Sequence, residues 1–185
     1  MAARLESLFT VEDIELMPDD GNRYEVIEGE LYVSRAPGIP HQRVTTNVIF
    51  IFKNYLQDNP IGEIIPTPGL VFDRYNAVIP DLVFYTHERA KQIIDEERLV
   101  GAPELAIEIL SHGYQNVTRD RVAKRNLYAK RGVTEYWIVD AYEAAVEIYR
   151  LNNDTLDLVA TLRDDDEVST PLLPGLKFKA SELFR

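Results

Sequence analysis

The stretch ELAIEILS, residues 104–111, is apolar at Leu105, Ala106, Ile107, Ile109 and Leu110, so both sides of its two-residue alternation are hydrophobic. A strand of that kind is buried on both faces and belongs to a sheet covered by other elements. Glu108 stands in the middle of it. A carboxylate taken out of water without a partner loses several kcal/mol of solvation, so this one must be neutralised, paired or coordinated.

The rest of the chain supplies that sheet. Thr10 heads VEDIEL as an N-cap with Asp13 three residues on, so a short helix opens the fold. RYEVIEGELYVS reads as a hairpin around Gly29. PHQRVTTNVIFIFKNYLQDNP reads as a long helix stopped by Asn59-Pro60, with Val44, Val48, Ile51, Phe52 and Tyr55 on one face. GEIIPTPGLVFD, AVIPDLVFYT and ELAIEILS follow as three strands, the first interrupted by Pro66 and Pro68. A basic helix of about 13 residues then ends at Gly132, followed by the strand EYWIVD. AAVEIYRLNND and TLDLVATLR form a hairpin turned at Asn152-Asn153-Asp154, and a short helix capped by Ser181 closes the chain. A helix between two strands makes a crossover with parallel neighbours. The class is α/β, a mixed central sheet flanked by helices with additional β-hairpins. At 185 residues and 21.2 kDa it is expected to form one domain, 1–185, with residues 1–9 flexible.

Asp81, directly after Pro80 in IPDLVF, repeats the anomaly of Glu108. If the two strands lie side by side their acids converge, and two ionised carboxylates a few ångström apart repel unless a proton or a cation sits between them. Oxygen donors without sulfur suit a hard divalent ion, so Mg²⁺ or Mn²⁺ is the expected metal and phosphates its natural substrates. In the following helix Asp120, Lys124 and Tyr128 recur every four residues on one side, which lets Lys124 point at the acids. Asp120 and Lys124 are equally an ordinary i,i+4 ion pair.

Composition removes other chemistries. No cysteine is present, which excludes disulfides and thiolate sites, and the three histidines lack the spacing of common zinc sites. No signal peptide or membrane span is visible, so the chain is expected in the cytoplasm with no membrane partner. The net charge of −11 argues against nucleic acid, yet TRDRVAKRNLYAKRG carries six basic residues against one acid. Arg119, Arg121, Arg125, Lys130 and Arg131 are therefore either a nucleic-acid-binding face or a solvated helix surface.

IPD followed by EIL resembles the Asp…Glu-x-Lys half-sites of the PD-(D/E)XK, restriction-endonuclease-like superfamily, with Leu110 where that motif has its lysine. Several branches carry the lysine on the next helix, and EILS…TRDRVAKRNLYAKRGVTEYWIVD is similar to the small endonucleases named Uma2. RYEVIEGELYVS, HQRV and LPGLKF extend the likeness from Thr10 to Phe184. The resemblance implies a restriction-endonuclease-like core and metal-dependent hydrolysis of DNA phosphodiesters. It implies that Asp81, Glu108 and the backbone carbonyl of Ile109 bind the metal. Lys124 would replace the motif lysine, orienting or helping to deprotonate the attacking water and stabilising charge on phosphorus. Glu25 would be the family's additional acid, and Ser111, Asp120 and Tyr128 would support the ligands. His41 and Gln42, opening the long helix, would line the cleft or bind phosphate through free N–H groups, a capping or surface role being the alternative for His41.

Three readings follow: a DNA endonuclease, a nucleic-acid-binding or regulatory module without turnover, and a structural or oligomerising protein. A homodimer is expected from the exposed-looking Glu135-Tyr136-Trp137 and from the two related sites that suit cleavage of a two-fold symmetric duplex.

Overall fold

The structure, a computed structural model, describes residues 8–111 and 113–185. Residues 1–7 of the N-terminal stretch expected to be flexible, and His112, lie outside the described residues. Helix α1 (Val11–Glu15) starts as its sequence predicts, with Thr10 N–H donating to Asp13 Oδ2 at 2.8 Å and Asp13 N–H donating to Thr10 Oγ1 at 3.3 Å. Strands β1 (Arg23–Ile27) and β2 (Glu30–Ser34) pair antiparallel. They turn at Glu28 and Gly29, whose φ angles of 52° and 80° give the two-residue turn that matches strand twist. Helix α2 (Ile39–Asp58) buries His41, Val44, Val48, Phe52 and Leu56, while Ile51 and Tyr55 lie at the edge of that face.

Prolines then split what the sequence suggested were single strands. GEIIPTPGLVFD becomes β3 (Gly62–Pro66) and β4 (Leu70–Asp73), and AVIPDLVFYT becomes β5 (Asn76–Val78) and β6 (Leu82–Thr86). A proline cannot donate to a ladder, so at each break the chain leaves one sheet for another. Instead of one sheet there are two of six strands and a separate hairpin. The outer sheet runs β2-β1-β5-β4-β8-β7 and includes the short β7 (Ile94–Asp95) and β8 (Arg98–Leu99), which follow α3 (His87–Ile93).

The central sheet runs β12-β11-β10-β9-β6-β3. Its strands β9 (Leu105–Ile109) and β10 (Glu135–Asp140) are parallel, as the crossover requires, and its other pairs, including β11 (Ala145–Asn152) with β12 (Thr155–Arg163), are antiparallel. The crossover is longer than predicted and is not a plain α-helix. It comprises α4 (Tyr114–Thr118), a π-helical segment Arg119–Lys124 and α5 (Arg125–Arg131), ending on Gly132 at φ 83°. Strands β13 (Glu167–Ser169) and β14 (Lys177–Lys179) form the hairpin. The closing turn, Ala180–Leu183, is a 3₁₀ segment entered through Lys179, whose N–H bonds Glu182. Ser181 lies inside that turn and does not cap it, and its Oγ is buried without a partner among the described residues.

Alternate residues of the central strands face two cores. Leu105, Ile107, Ile109, Trp137 and Val139 pack with Phe52 of α2 and with Leu173, Phe178 and Leu183. Ala106, Leu110, Tyr136 and Ile138 pack with Leu127, Tyr128 and the outer sheet. Glu135, Tyr136 and Trp137 are all at most 1% exposed, so the segment expected on the surface is interior. Aromatic rings on both faces of a central strand read like an exposed patch only when the layers above and below are unknown. Among the described residues no helix is long and apolar enough to cross a membrane.

Candidate active site

The register of the central sheet settles what Glu108 faces. Leu82 pairs with Ile107 and Val83 with Ala106, so one further antiparallel step sets Asp81 across from Glu108. Both point to the face that carries the crossover helices, since Val83, Ala106 and Leu110 share it. No bare pair of acids results. Asp81 Oδ2 accepts from His41 Nε2 at 2.9 Å and from the Ile109 N–H at 2.8 Å, and Oδ1 accepts from Arg23 at 3.2 Å. Glu108 Oε1 accepts from Lys124 Nζ at 2.9 Å and from the Tyr128 hydroxyl at 2.8 Å.

Two further acids close the cluster. Glu25, on β1, takes Lys124 Nζ at 2.8 Å and the Ile79 N–H at 2.7 Å on one oxygen and Arg119 at 3.3 Å on the other. Through these bonds β1 and the crossover helix hold the Ile79–Asp81 link where the chain passes between sheets. Asp120 accepts Arg119 Nε at 2.8 Å. The π segment keeps Asp120 and Lys124 both 1% exposed and turns Arg119 inward. Such widened turns recur at functional sites.

Four buried carboxylates, Glu25, Asp81, Glu108 and Asp120, thus meet three cations, Arg23, Arg119 and Lys124, leaving one formal negative charge when His41 is neutral. The electrostatics register the excess. Burial pushes Glu108 up to about 8 against the pull of Lys124, and Asp120, Asp81 and Glu25 push the same way. Burial also raises Asp120 despite Lys124 and Arg119. Asp81 goes the other way: burial works against its charge, but His41, Lys124 and the Ile109 N–H hold its carboxyl below the usual range. Burial likewise opposes the charge of Lys124, yet Glu108 and Glu25 outweigh it and keep the ammonium protonated above the ordinary lysine range. Burial and Glu108 push the Tyr128 hydroxyl well up.

The site opens at the Asp81 end. A cavity of about 30 Å³ is lined by Arg23, Arg35, His41, Asp81, Ser111 and Arg119, and a wider groove of about 610 Å³ shares Arg35 and Ser111 with it. The structure therefore brings together Asp81, Glu108, Lys124, Glu25, Asp120, Tyr128 and His41, with Ser111 at the entrance. Ile109 enters through its N–H. Gln42 is apart: it is exposed and lines none of these cavities, and its backbone N–H bonds Gly38 O at 3.1 Å, so that N–H is not free for a phosphate. Arg121, Arg125, Lys130 and Arg131 lie outside the cluster. Arg23 and Arg35 were missed by sequence reasoning. Arg23 had a signal, being two residues from Glu25 and so on the same strand face, whereas Arg35 lies in a connection with no pattern to mark it.

The donor chemistry suits a hard divalent ion. Among the described residues no three His, Cys, Asp or Glu side chains converge as a metal cage. Mg²⁺ needs none, since it is usually bound through one or two carboxylates and keeps several waters. Burial holds back the ionisation of Glu108, pushing it up to about 8, and such a cation would offset the charge it carries once ionised.

No functionally curated protein matches the chain. Among solved structures, one titled as a putative nuclease belonging to DUF820 from Anabaena variabilis shares the fold at a TM-score of 0.76. The two are 20% identical, and the match covers 95% of this chain and 97% of that one. The Uma2 family profile, described as "Putative restriction endonuclease", matches residues 11–181, and the chain belongs to that family.

Proposed function

We propose that the protein is an endonuclease that hydrolyses DNA phosphodiester bonds with Mg²⁺ or Mn²⁺, the chain acting as one domain across 1–185. The observation that carries this reading is the placing of Asp81 and Glu108 across adjacent strands, with the Lys124 ammonium 2.9 Å from Glu108 and with Asp81 lining a cavity together with Arg23, Arg119 and His41. Asp81 and Glu108, with the Ile109 carbonyl, would hold the metal, which supplies polarisation of a phosphate oxygen and a lowered water pKa. Lys124 keeps its proton, so it acts as a fixed positive charge toward the developing charge on phosphorus and does not take the proton from water. Tyr128 holds Glu108 Oε1 in place through its hydroxyl. Arg23 and His41 orient Asp81.

The finer parts of the reading are supported unequally. The family's description as restriction endonucleases supports DNA as the substrate, and the reading places the protein in the cytoplasm with that substrate. A homodimer keeps only the symmetry of duplex cleavage as its support, because the aromatic segment that suggested a pairing surface is buried, and a single-stranded substrate would remove that support too. Nicking of supercoiled plasmid and cleavage of circular single-stranded DNA, each with Mn²⁺ and with a chelated blank, test the proposal. Wild type should cleave, and Asp81→Asn and Glu108→Gln, matched for circular dichroism, should lose about two orders of magnitude or more. Full cleavage by either variant contradicts the site; binding of DNA without cleavage by wild type makes the chain a binding module.

A further inference from the structure

The cations of this molecule differ in what they already hold. On the crossover helices Arg119 is enclosed by Asp120 and Glu25, Arg121 by Glu147 and Asp140, Lys130 by Glu28 and Arg131 by Asp73. Arg125 lies over the Tyr149 ring at 5.3 Å. A phosphate arriving at that face meets charge that is already offset. Arg35 is the contrast. It is exposed, forms no ion pair among the described residues, and lines both the cavity beside Asp81 and the groove leading to it. Arg23 stands behind it with one nitrogen on Asp81 and 27% of its side chain exposed.

Access sets a second limit. Asp81, Glu108 and Lys124 are at most 5% exposed. The cavity of about 30 Å³ beside Asp81 has room for a water or two, so a phosphate oxygen can enter but a base pair cannot. A duplex carries its phosphates on a stiff rod, and proteins hold it by neutralising many of them, roughly 6–10 in a well-contacted complex. Here, among the described residues, Arg23, Arg35 and Arg119 are the arginines that line the cavity, and Arg119 is already held by Asp120 and Glu25, in a chain of net charge −11. An unpaired strand bends, can turn one phosphate inward, and gains affinity by stacking its bases on aromatic rings. Tyr142, 42% exposed, lines the same groove.

We propose that the site takes single-stranded DNA, with Arg35 leading a backbone phosphate from the groove to Asp81. The chemistry rests on the nuclease reading above, but the binding does not. Fluorescence anisotropy without metal, using labelled oligothymidylate and a duplex of equal length over a salt series, tests it. The single strand should bind at least about tenfold tighter than the duplex. Arg35→Ala should weaken single-strand binding several-fold and lower the slope of log K against log salt by about 0.7, while Arg35→Lys keeps the slope. Lys53→Ala, an exposed charge roughly 18 Å along α2 from His41, should change neither. Duplex binding as tight as single-strand binding, or Arg35→Ala binding like wild type, overturns the proposal. Hydrolysis of bis(p-nitrophenyl) phosphate with Mn²⁺, a substrate with no base and no second strand, is read in parallel. Its absence beside tight single-strand binding removes the nuclease reading alone; its presence without strand preference removes this one alone.

Discussion

The two faces of the central sheet are made from alternate residues of the same strands, yet they are held together by different physics. On one face Leu105, Ile107, Trp137 and Val139 close over Phe52, whose ring meets Trp137 edge-on at 5.8 Å. Exclusion of water and close packing stabilise it. The buried acid at its margin, Glu135, is matched by Trp137 Nε1 and Arg150, each at 2.7 Å. On the other face Ala106, Leu110 and Tyr136 share space with Glu108, Asp120 and Lys124, where charges interact with little screening. The apolar face could tolerate many hydrophobic replacements of equal volume. The polar face cannot lose one member without stranding another, which is how a strand buried on both sides can be a core on one and a site on the other.

The largest expected effect sets the faces against each other. Phe52→Ala should cost about 3–5 kcal/mol by leaving a cavity. Lys124→Ala should cost a similar amount, about 3–5 kcal/mol, by leaving Glu25 and Glu108 without their cation. Adding Glu108→Gln separates them in urea denaturation. The Phe52 loss should stay within about 0.5 kcal/mol of its value, whereas the Lys124 loss should shrink by about 1 kcal/mol or more. Equal coupling in the two cycles would break the distinction.

A smaller effect appears with pH in chelated protein. Glu108 has a folded pKa of about 8 against an ordinary 4.5, so the folded state binds the proton more tightly. The stability it contributes is complete below pH 4.5 and is lost as pH rises through about 8. Asp81, depressed, contributes above its ordinary 3.8 and loses that contribution only in acid, so it does not mask the slope near neutrality. The melting temperature should therefore fall from pH 6 to 8 in wild type and in Phe52→Ala, and Glu108→Gln should flatten the fall. A slope that persists in Glu108→Gln would assign it to another group.

What was legible in the sequence and what was not follow a physical division. The double-faced strand, the Glu28-Gly29 hairpin, the Thr10 cap and the crossover are local patterns, and local sterics and burial decide them. The meeting of Asp81, Glu108 and Lys124 was readable because acids in apolar strands demand partners. Pro66 and Pro68 mark an interruption in the sequence and Pro80 stands inside AVIPDLVFYT, but a proline says only that a ladder stops and not which sheet the chain joins next. The π segment leaves no mark in residue spacing, so Arg119 was placed with the basic surface although it faces Asp120 and Glu25. The acids that offset Arg121, Lys130 and Arg131 come from β11, the β1–β2 turn and β4, distances along the chain that no window spans.

Isothermal calorimetry with Mn²⁺ on wild type, Asp81→Asn and Glu108→Gln tests the central assignment of the polar face most directly. Wild type should bind one ion per chain, and each variant, with its melting transition still cooperative, should bind at least about tenfold more weakly because a ligand and its charge are gone. Binding of equal strength in all three proteins, or none in a folded wild type, would contradict a metal site between Asp81 and Glu108 and leave the cluster a buried charge network only.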